Sequence, residues 1–156
     1  MPTFDAHVFD ITRVIQLAVA PVFLLTAIGT IINALANRLG RAVDRRRVVD
    51  EMVLAEEGPS REELLGELRI LHMRIKLVLW SMALSVLSAL LVCLLIGTAF
   101  VGAFIAIDLS RPVALLFFAA VLALSVGLVL FMREVFLAAL SLEHVIRAQP
   151  ARIERT

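Results

Sequence analysis

Five uncharged polar side chains lie in or beside the first apolar run of the chain, and their spacing gives them a common direction. Thr26, Thr30, Asn33 and Asn37 follow one another at intervals of four, three and four residues, which places them on one face of an α-helix. Gln16 extends the same sector toward the N-terminus. Hydroxyl and amide groups form hydrogen bonds, so in a membrane this polar face contacts protein or water rather than lipid.

Two interpretations of the polar face remain open from the sequence. In the first, its side chains hydrogen-bond across neighbouring helices, and Gly29 allows those helices to approach closely. In the second, several copies of the chain surround a symmetry axis and the polar face lines a pore. A single span with one polar face cannot enclose water by itself, so the second interpretation requires an oligomer.

A cluster of charged residues follows the polar face immediately and consists of Arg38, Arg41, Asp44, Arg45, Arg46 and Arg47. Its simplest role is to set the topology and to meet anionic lipid headgroups. In an oligomer, Arg41 and Asp44 would instead lie at the cytoplasmic mouth of the pore, where Arg41 favours anions or pairs with Asp44 of a neighbour. Asp44 with Arg41 or Arg45 is alternatively an ion pair on the surface of one helix.

Other residue types that carry chemistry do not form a recognisable site. His7, His72 and His144 lie on separate segments without the compact spacing of metal ligands. The sequence contains no nucleophile motif, phosphate-binding loop or paired carboxylates. The lone Cys93 lies in an apolar run and is read as a small hydrophobic residue. We expect no catalytic residue, no metal site and no cofactor, and predict that the protein is not an enzyme.

The composition predicts a membrane protein, part of whose surface contacts lipid instead of water. Of 156 residues, 61% are apolar, whereas soluble domains average roughly 45–50%. The net charge of +1 means little by itself, because the charges are segregated along the chain. Binding of nucleic acid would require a net basic face, and none is apparent. Asp5 and Asp10 precede the first apolar run, where a cleavable signal peptide would be basic, so we read this run as an uncleaved anchor.

Hydropathy divides the chain into an outer N-terminal segment (1–13), a first span (14–37), a charged hairpin (38–76), a second span (77–107), an outer loop (108–111), a third span (112–132) and an amphipathic helix with a tail (133–156). The sequence Gly58-Pro59-Ser60 predicts a turn at 58–60 between two helical arms that continue the first two spans. Pro21 predicts a kink in the first span. Ser81, Ser85 and Ser88 share one face of the second span, which indicates helix packing.

The basic residues predict the orientation. Nine of the fifteen Lys and Arg residues lie in the hairpin and four follow the third span, whereas only Arg13 and Arg111 flank the other side. Basic residues concentrate on the cytoplasmic side of membranes. We therefore predict an all-α integral membrane protein of the cytoplasmic (inner) membrane with three transmembrane helices. Its N-terminus lies outside, and its antiparallel helical hairpin and C-terminus lie in the cytoplasm.

Two stretches carry a resemblance to a known family. They are PVFLLTAIGTIINALANRLGRAVDR, after which a charged helix follows, and LRILHMRIKLVLWSMALS. The chain resembles small prokaryotic three-span membrane proteins grouped as domain of unknown function 2721. The residues that carry the resemblance are Pro21, Gly29, Asn37, Arg38, Arg41, Asp44 and Arg45. The resemblance implies the three-span layout and brings no activity with it.

The three predicted spans contain no Asp, Glu, Lys or Arg. Coupled transporters and pumps usually carry such a group within the membrane, and many contain inverted repeats, which three spans do not provide. We therefore predict a homo-oligomeric membrane pore or channel-like protein with the polar face of the first span lining its axis. The alternative is a non-conducting scaffold or regulatory subunit whose hairpin binds a soluble partner that the sequence does not identify.

Overall fold

Three long α-helices form the described part of the chain. A computed structural model describes the backbone of residues 3–55, 61–105 and 107–148, and the side chains of residue 16 and of residues 19–55, 61–105 and 107–139. The helices are α1 (Thr3–Ala55), α2 (Arg61–Ile105) and α3 (Ser110–Ala148). These ranges contain no strand, which confirms the all-α class. The predicted turn at 58–60 lies outside the described residues.

Each helix contains a segment that is long and apolar enough to cross a membrane, namely Val19–Ala55, Arg61–Ile105 and Ser110–Ala139. Only 17%, 22% and 22% of the most apolar part of these segments is buried within the chain. Large side chains such as Trp80, Phe104 and Phe118 point outward instead. Water does not stabilise so much exposed apolar surface, and the three helices indicate a multi-pass membrane protein.

Hydrogen bonds to Asp108 and Leu109 mark the start of α3. Asp108 Oδ1 accepts the backbone N–H of Ser110 at 3.0 Å and its hydroxyl at 2.6 Å, and the carbonyl oxygen of Leu109 accepts a hydrogen bond from the amide of Val113 at 3.1 Å. The bonds from Ser110, the hydroxyl first, lower the pKa of Asp108 below its ordinary value. Pro112 lies in the first turn of the helix, where its missing N–H costs nothing. The helix therefore begins at Ser110, two residues before the predicted start of the third span.

Buried residues recur at seven-residue intervals along all three helices. They are Pro21, Ile28, Leu35, Ala42 and Val49 in α1; Leu64, Leu71, Val78, Ser85 and Val92 in α2; and Ala120, Gly127 and Glu134 in α3. Seven residues make almost two helical turns, so each set forms one narrow stripe, as in coiled-coil packing. Beside its stripe, α2 buries four more of the described residues, namely Ile75, Ser81, Ser88 and Leu95.

The contacts divide the chain into two units, which we describe separately. The first comprises Met1–Ala34 and Ala83–Gly127. Small buried residues dominate its α2 and α3 contacts: Ser88 Oγ donates to the carbonyl oxygen of Ala120 at 2.8 Å, and both residues are fully buried. Small side chains allow helix backbones to approach closely, which is typical of helix packing in membranes.

The second unit comprises Leu35–Met82 and Leu128–Thr156. Val49 packs with Leu64 and Leu71 in its apolar core, and Val53 and Leu68 lie against this cluster. The ion pair between Arg45 and Glu67 joins the same two helices. From Arg45 to Val49 along α1, the partner in α2 changes from Glu67 back to Leu64. The two segments therefore pack antiparallel.

Candidate functional site

A buried carboxylate connects all three helices within the second unit. The side chain of Glu134 in α3 is only 2% exposed. Its Oε2 accepts a hydrogen bond from Arg38 Nη1 of α1 at 2.8 Å. Its Oε1 accepts from Arg74 of α2, at 3.0 Å from Nη2 and 3.3 Å from Nε. The guanidinium of Arg38 also lies 5.1 Å from the ring centre of Phe131, a cation–π distance.

The charges in this cluster do not balance. A buried carboxylate requires charged or hydrogen-bonding partners, because its desolvation is otherwise prohibitive. Glu134 has two such partners, whose side chains are 32% and 22% exposed. One negative charge neutralises only one of the two arginines, so the Arg38–Glu134–Arg74 cluster retains a formal positive charge.

A polar cavity adjoins the cluster. Its volume is about 320 Å³, and its lining consists of Arg38, Arg41, Ala42, Arg45, Leu71, Arg74 and Glu134. Four arginines against one glutamate leave three formal positive charges in this lining. Arg45 Nε also bonds to Glu67 Oε1 at 2.7 Å, so one of these charges has a partner outside the cavity.

The predicted charged cluster of α1 is thus distributed over different contacts. Arg38 and Arg45 pair with Glu134 and Glu67, and Arg41 lines the cavity. Asp44 is exposed and forms no ion pair with any residue that the structure describes. Within the described chain, the suggested pairing of Asp44 with Arg41 or Arg45 is therefore absent.

The polar face of α1 points away from the other helices. Thr26 and Thr30 each lie two residues from the buried Ile28, and Asn33 and Asn37 each lie two residues from the buried Leu35. Two residues correspond to a rotation of about 200° around a helix, so all four side chains lie opposite the packed stripe. All four are exposed, as is Gln16.

The two threonines of this face satisfy their hydroxyl groups within the helix. Thr26 Oγ1 donates to the carbonyl oxygen of Val22 at 3.3 Å, and Thr30 Oγ1 donates to that of Thr26 at 3.1 Å. Asn33 and Asn37 have no such bond among the contacts that the structure describes. The amides of Asn33 and Asn37 therefore have hydrogen-bonding capacity that the described contacts leave unmet.

The three serines of α2 and the proline of α1 that the sequence singled out lie in packed positions. Ser81, Ser85 and Ser88 are fully buried, which confirms the predicted packing face of α2. Pro21 is buried inside α1 and borders an apolar cavity of about 360 Å³ in the first unit. The helix continues through Pro21 without interruption, and the predicted kink there stays a prediction.

Sequence reasoning overlooked Glu134 and Arg74. In the sequence, Glu134 follows Arg133 directly after an apolar run, which is typical of an exposed charged pair at a membrane surface. One signal was present: Glu134 lies seven residues after Gly127 and fourteen after Ala120, two small residues at the spacing of a packed stripe. Arg74 carried no comparable signal, because its partner is 60 residues away.

The comparison with protein families finds one relationship. Residues 18–144 match the family model described as Protein of unknown function (DUF2721). The match covers all of α2, most of α1 and α3, and the residues of the Arg38–Glu134–Arg74 cluster. Neither the comparison with curated proteins nor that with solved structures finds a match.

Proposed function

The chain belongs to the DUF2721 family, and we propose that it acts as a homo-oligomeric, pore-like membrane protein. In this assembly the polar face of α1 (Gln16, Thr26, Thr30, Asn33 and Asn37) surrounds the common axis. The observation that carries the proposal is the direction of this face, which lies opposite the packed stripe of its own helix.

The energetic argument concerns Asn33 and Asn37. Both amides are exposed on the single chain; Asn33 lies within the apolar run of α1, and Asn37 ends this run next to Arg38. An amide placed in hydrocarbon without a hydrogen bond costs roughly 4–8 kcal/mol. The hydrogen-bond partners of the amides must therefore come from water or from a second copy of the chain, and a pore axis supplies both.

The three predicted spans contain no charged residue, which favours a passive conduit over a coupled transporter.

The surface of α1 also provides space for a neighbouring helix. Gly29 and Gly40 flank the polar face, and a Cβ atom added at either position would meet nothing within 4 Å. Glycines that are open to the outside allow another helix to approach closely. The face therefore combines polar groups with room for contact, as the lining helix of an oligomer requires.

The topology forms part of the same proposal. We propose that the protein lies in the cytoplasmic membrane with its N-terminus outside and the α1–α2 hairpin in the cytoplasm. The support is the concentration of basic residues in 38–76. In this orientation Arg41 and Asp44 lie at the cytoplasmic end of the α1 face.

A direct test is the conductance of the purified full chain in planar bilayers, together with its oligomer mass by native mass spectrometry. We expect an oligomer with several copies of α1 around an axis, and measurable conductance. Asn33→Leu should reduce that conductance severalfold because it replaces a lining amide. Ser125→Ala is the matched control: Ser125 is also an exposed polar residue, on α3, and its hydroxyl bonds to its own helix at 2.8 Å.

A monomer, or conductance that Asn33→Leu leaves unchanged, would refute the pore. A stable oligomer without conductance would instead support the second candidate, a scaffold whose hairpin binds a soluble protein. The observation that favours this candidate is the exposure of large apolar side chains on the hairpin, among them Leu54 and Leu65. Leu54 is 85% exposed, and a partner that covers it would remove this surface from water.

A further inference from the structure

We propose that the arginine-lined cavity of the second unit is a binding site for a phosphate group. The lining arginines are Arg38, Arg41, Arg45 and Arg74. This inference does not depend on the proposed pore, because one chain supplies the whole lining of the cavity.

The first argument is the excess of positive charge around the cavity. The cavity volume of about 320 Å³ lies at the lower end of the range of roughly 300–1,000 Å³ for small-molecule sites. Arg41 forms no ion pair with the residues that the structure describes, and Glu134 leaves the Arg38–Arg74 pair in positive excess. Several guanidinium groups that converge without enough carboxylates attract an anion.

The second argument is the geometry of the donors. A guanidinium carries five N–H donors in a planar fork that matches the oxygens of a phosphate. Glu134 engages one nitrogen of Arg38 and two nitrogens of Arg74. It thereby holds both side chains in fixed positions while leaving other donors for a second acceptor. Glu134 is a positioning residue in this proposal, because it acts through the two arginines.

The third argument is location along the chain. Arg38 is the first charged residue after the apolar run of α1, and Glu134 follows the apolar run of α3 by two residues. Such positions correspond to the level of lipid headgroups. The phosphate group has two natural sources there, an anionic phospholipid or a soluble phosphate compound, and the test separates them.

The experiment measures binding to the purified full chain in a neutral detergent, with two probes. One probe is phosphatidylglycerol, counted as adducts by native mass spectrometry against phosphatidylcholine. The other is inorganic phosphate, detected by a shift in the unfolding temperature against chloride at equal ionic strength. Binding of the lipid alone identifies a headgroup site; binding of inorganic phosphate, alone or with the lipid, identifies a site for the phosphate group itself.

The decisive comparison is between two double variants that remove the same amount of positive charge. Arg41→Gln should weaken binding of the active probe about tenfold, since a hydrogen bond to a charged group is lost. Arg41→Gln/Arg45→Gln should weaken it further. The control Arg46→Gln/Arg47→Gln removes the same charge from exposed positions outside the cavity and should change binding less than twofold.

Two results would overturn the proposal: neither probe binds the wild-type chain, or the two double variants weaken binding equally. The second result would mean that general surface charge attracts the probe. Arg41→Gln keeps the test valid if Arg45→Gln disturbs folding, because Arg41 lacks the ion pair that Arg45 forms with Glu67. The unfolding temperature of each variant without probe verifies its folding.

Discussion

Glu134 and its two arginines illustrate how burial changes the contribution of an ion pair to the stability of the protein. The Arg45–Glu67 pair has a similar distance, 2.7 Å, but its side chains are 52% and 36% exposed. Exposed pairs contribute roughly 0–1 kcal/mol to stability because water screens both charges. Glu134, at 2% exposure, has lost its water shell and depends on its protein partners.

At the residue scale, we predict that Glu134→Leu lowers the free energy of unfolding by about 3 kcal/mol, because Arg38 and Arg74 lose their shared acceptor. Glu67→Leu, the matched control, should lower it by less than about 1 kcal/mol. Unfolding of the purified protein by increasing SDS in mixed micelles measures both values. Equal losses in the two variants would contradict a structural role of the buried cluster.

The double variant Arg74→Leu/Glu134→Leu extends this prediction. It removes one guanidinium together with the carboxylate, so fewer partly buried charges are left without a partner. We expect its loss of stability to be smaller than the sum of the two single losses, since residues in one network do not act additively. A strictly additive result would show that Arg74 and Glu134 are not coupled.

At the scale of elements, the buried residues of each helix recur every seven positions and form narrow stripes. The sequence signal for these stripes is weak, since leucine, valine and phenylalanine cover the remaining faces as well. A helix that is apolar all round gives no contrast between core and surface. In α2 and α3, a small side chain rather than an apolar one distinguishes the packed face, as at Ser85, Ser88, Ala120 and Gly127.

The end of α2 provides a second prediction at this scale. A Cβ atom added to Gly102 would lie 3.3 Å from the carbonyl oxygen of Ile107 and 3.3 Å from Leu109 Cδ1. The amide of Ile107 also donates to the carbonyl oxygen of Gly102 at 3.3 Å, which draws the following loop close to the helix. The absence of a side chain at Gly102 therefore permits this close approach.

We predict that Gly102→Ala destabilises the protein by about 1 kcal/mol, because crowding costs roughly 1–3 kcal/mol and the gain in helix propensity is roughly 1 kcal/mol. Gly97→Ala is the control within the same helix: nothing lies within 4 Å of its added Cβ, so it should be neutral or stabilising. The same SDS titration distinguishes the two variants. If both behave alike, the loop does not pack on Gly102 as described.

At the scale of the whole molecule, the basic residues are concentrated in the hairpin (38–76) and after the third span. This pattern predicts which loops face which side of the membrane. In a Cys93→Ser background, a cysteine introduced by Arg47→Cys should react with a membrane-impermeant maleimide only after the cells are opened. A cysteine introduced by Arg111→Cys should react in intact cells.

Both positions are exposed on the described chain, so unequal labelling reports the side of the membrane rather than burial. Labelling of both cysteines in opened cells confirms that each thiol is reactive. The reverse pattern in intact cells would overturn the proposed orientation. It would also move the predicted cytoplasmic mouth, with Arg41 and Asp44, to the outside.

The sequence by itself determined the three long apolar helices, the approximate ends of each and the family to which the chain belongs. Hydropathy acts over neighbouring residues, so the predicted start of the third span at residue 112 lies within two residues of the start of α3 at Ser110. The polar face of α1 was likewise visible, because Thr26, Thr30, Asn33 and Asn37 stand out against apolar neighbours.

Only the tertiary structure decided which way these faces point. It turned the polar face of α1 away from the packed stripe, and it placed Glu134 between Arg38 and Arg74, which lie 96 and 60 residues away in the chain. No local signal encodes such distant pairings, because they depend on how three nearly uniformly apolar helices are rotated about their axes. The buried residues at seven-residue spacing mark that rotation, and most of them are apolar like the exposed residues beside them.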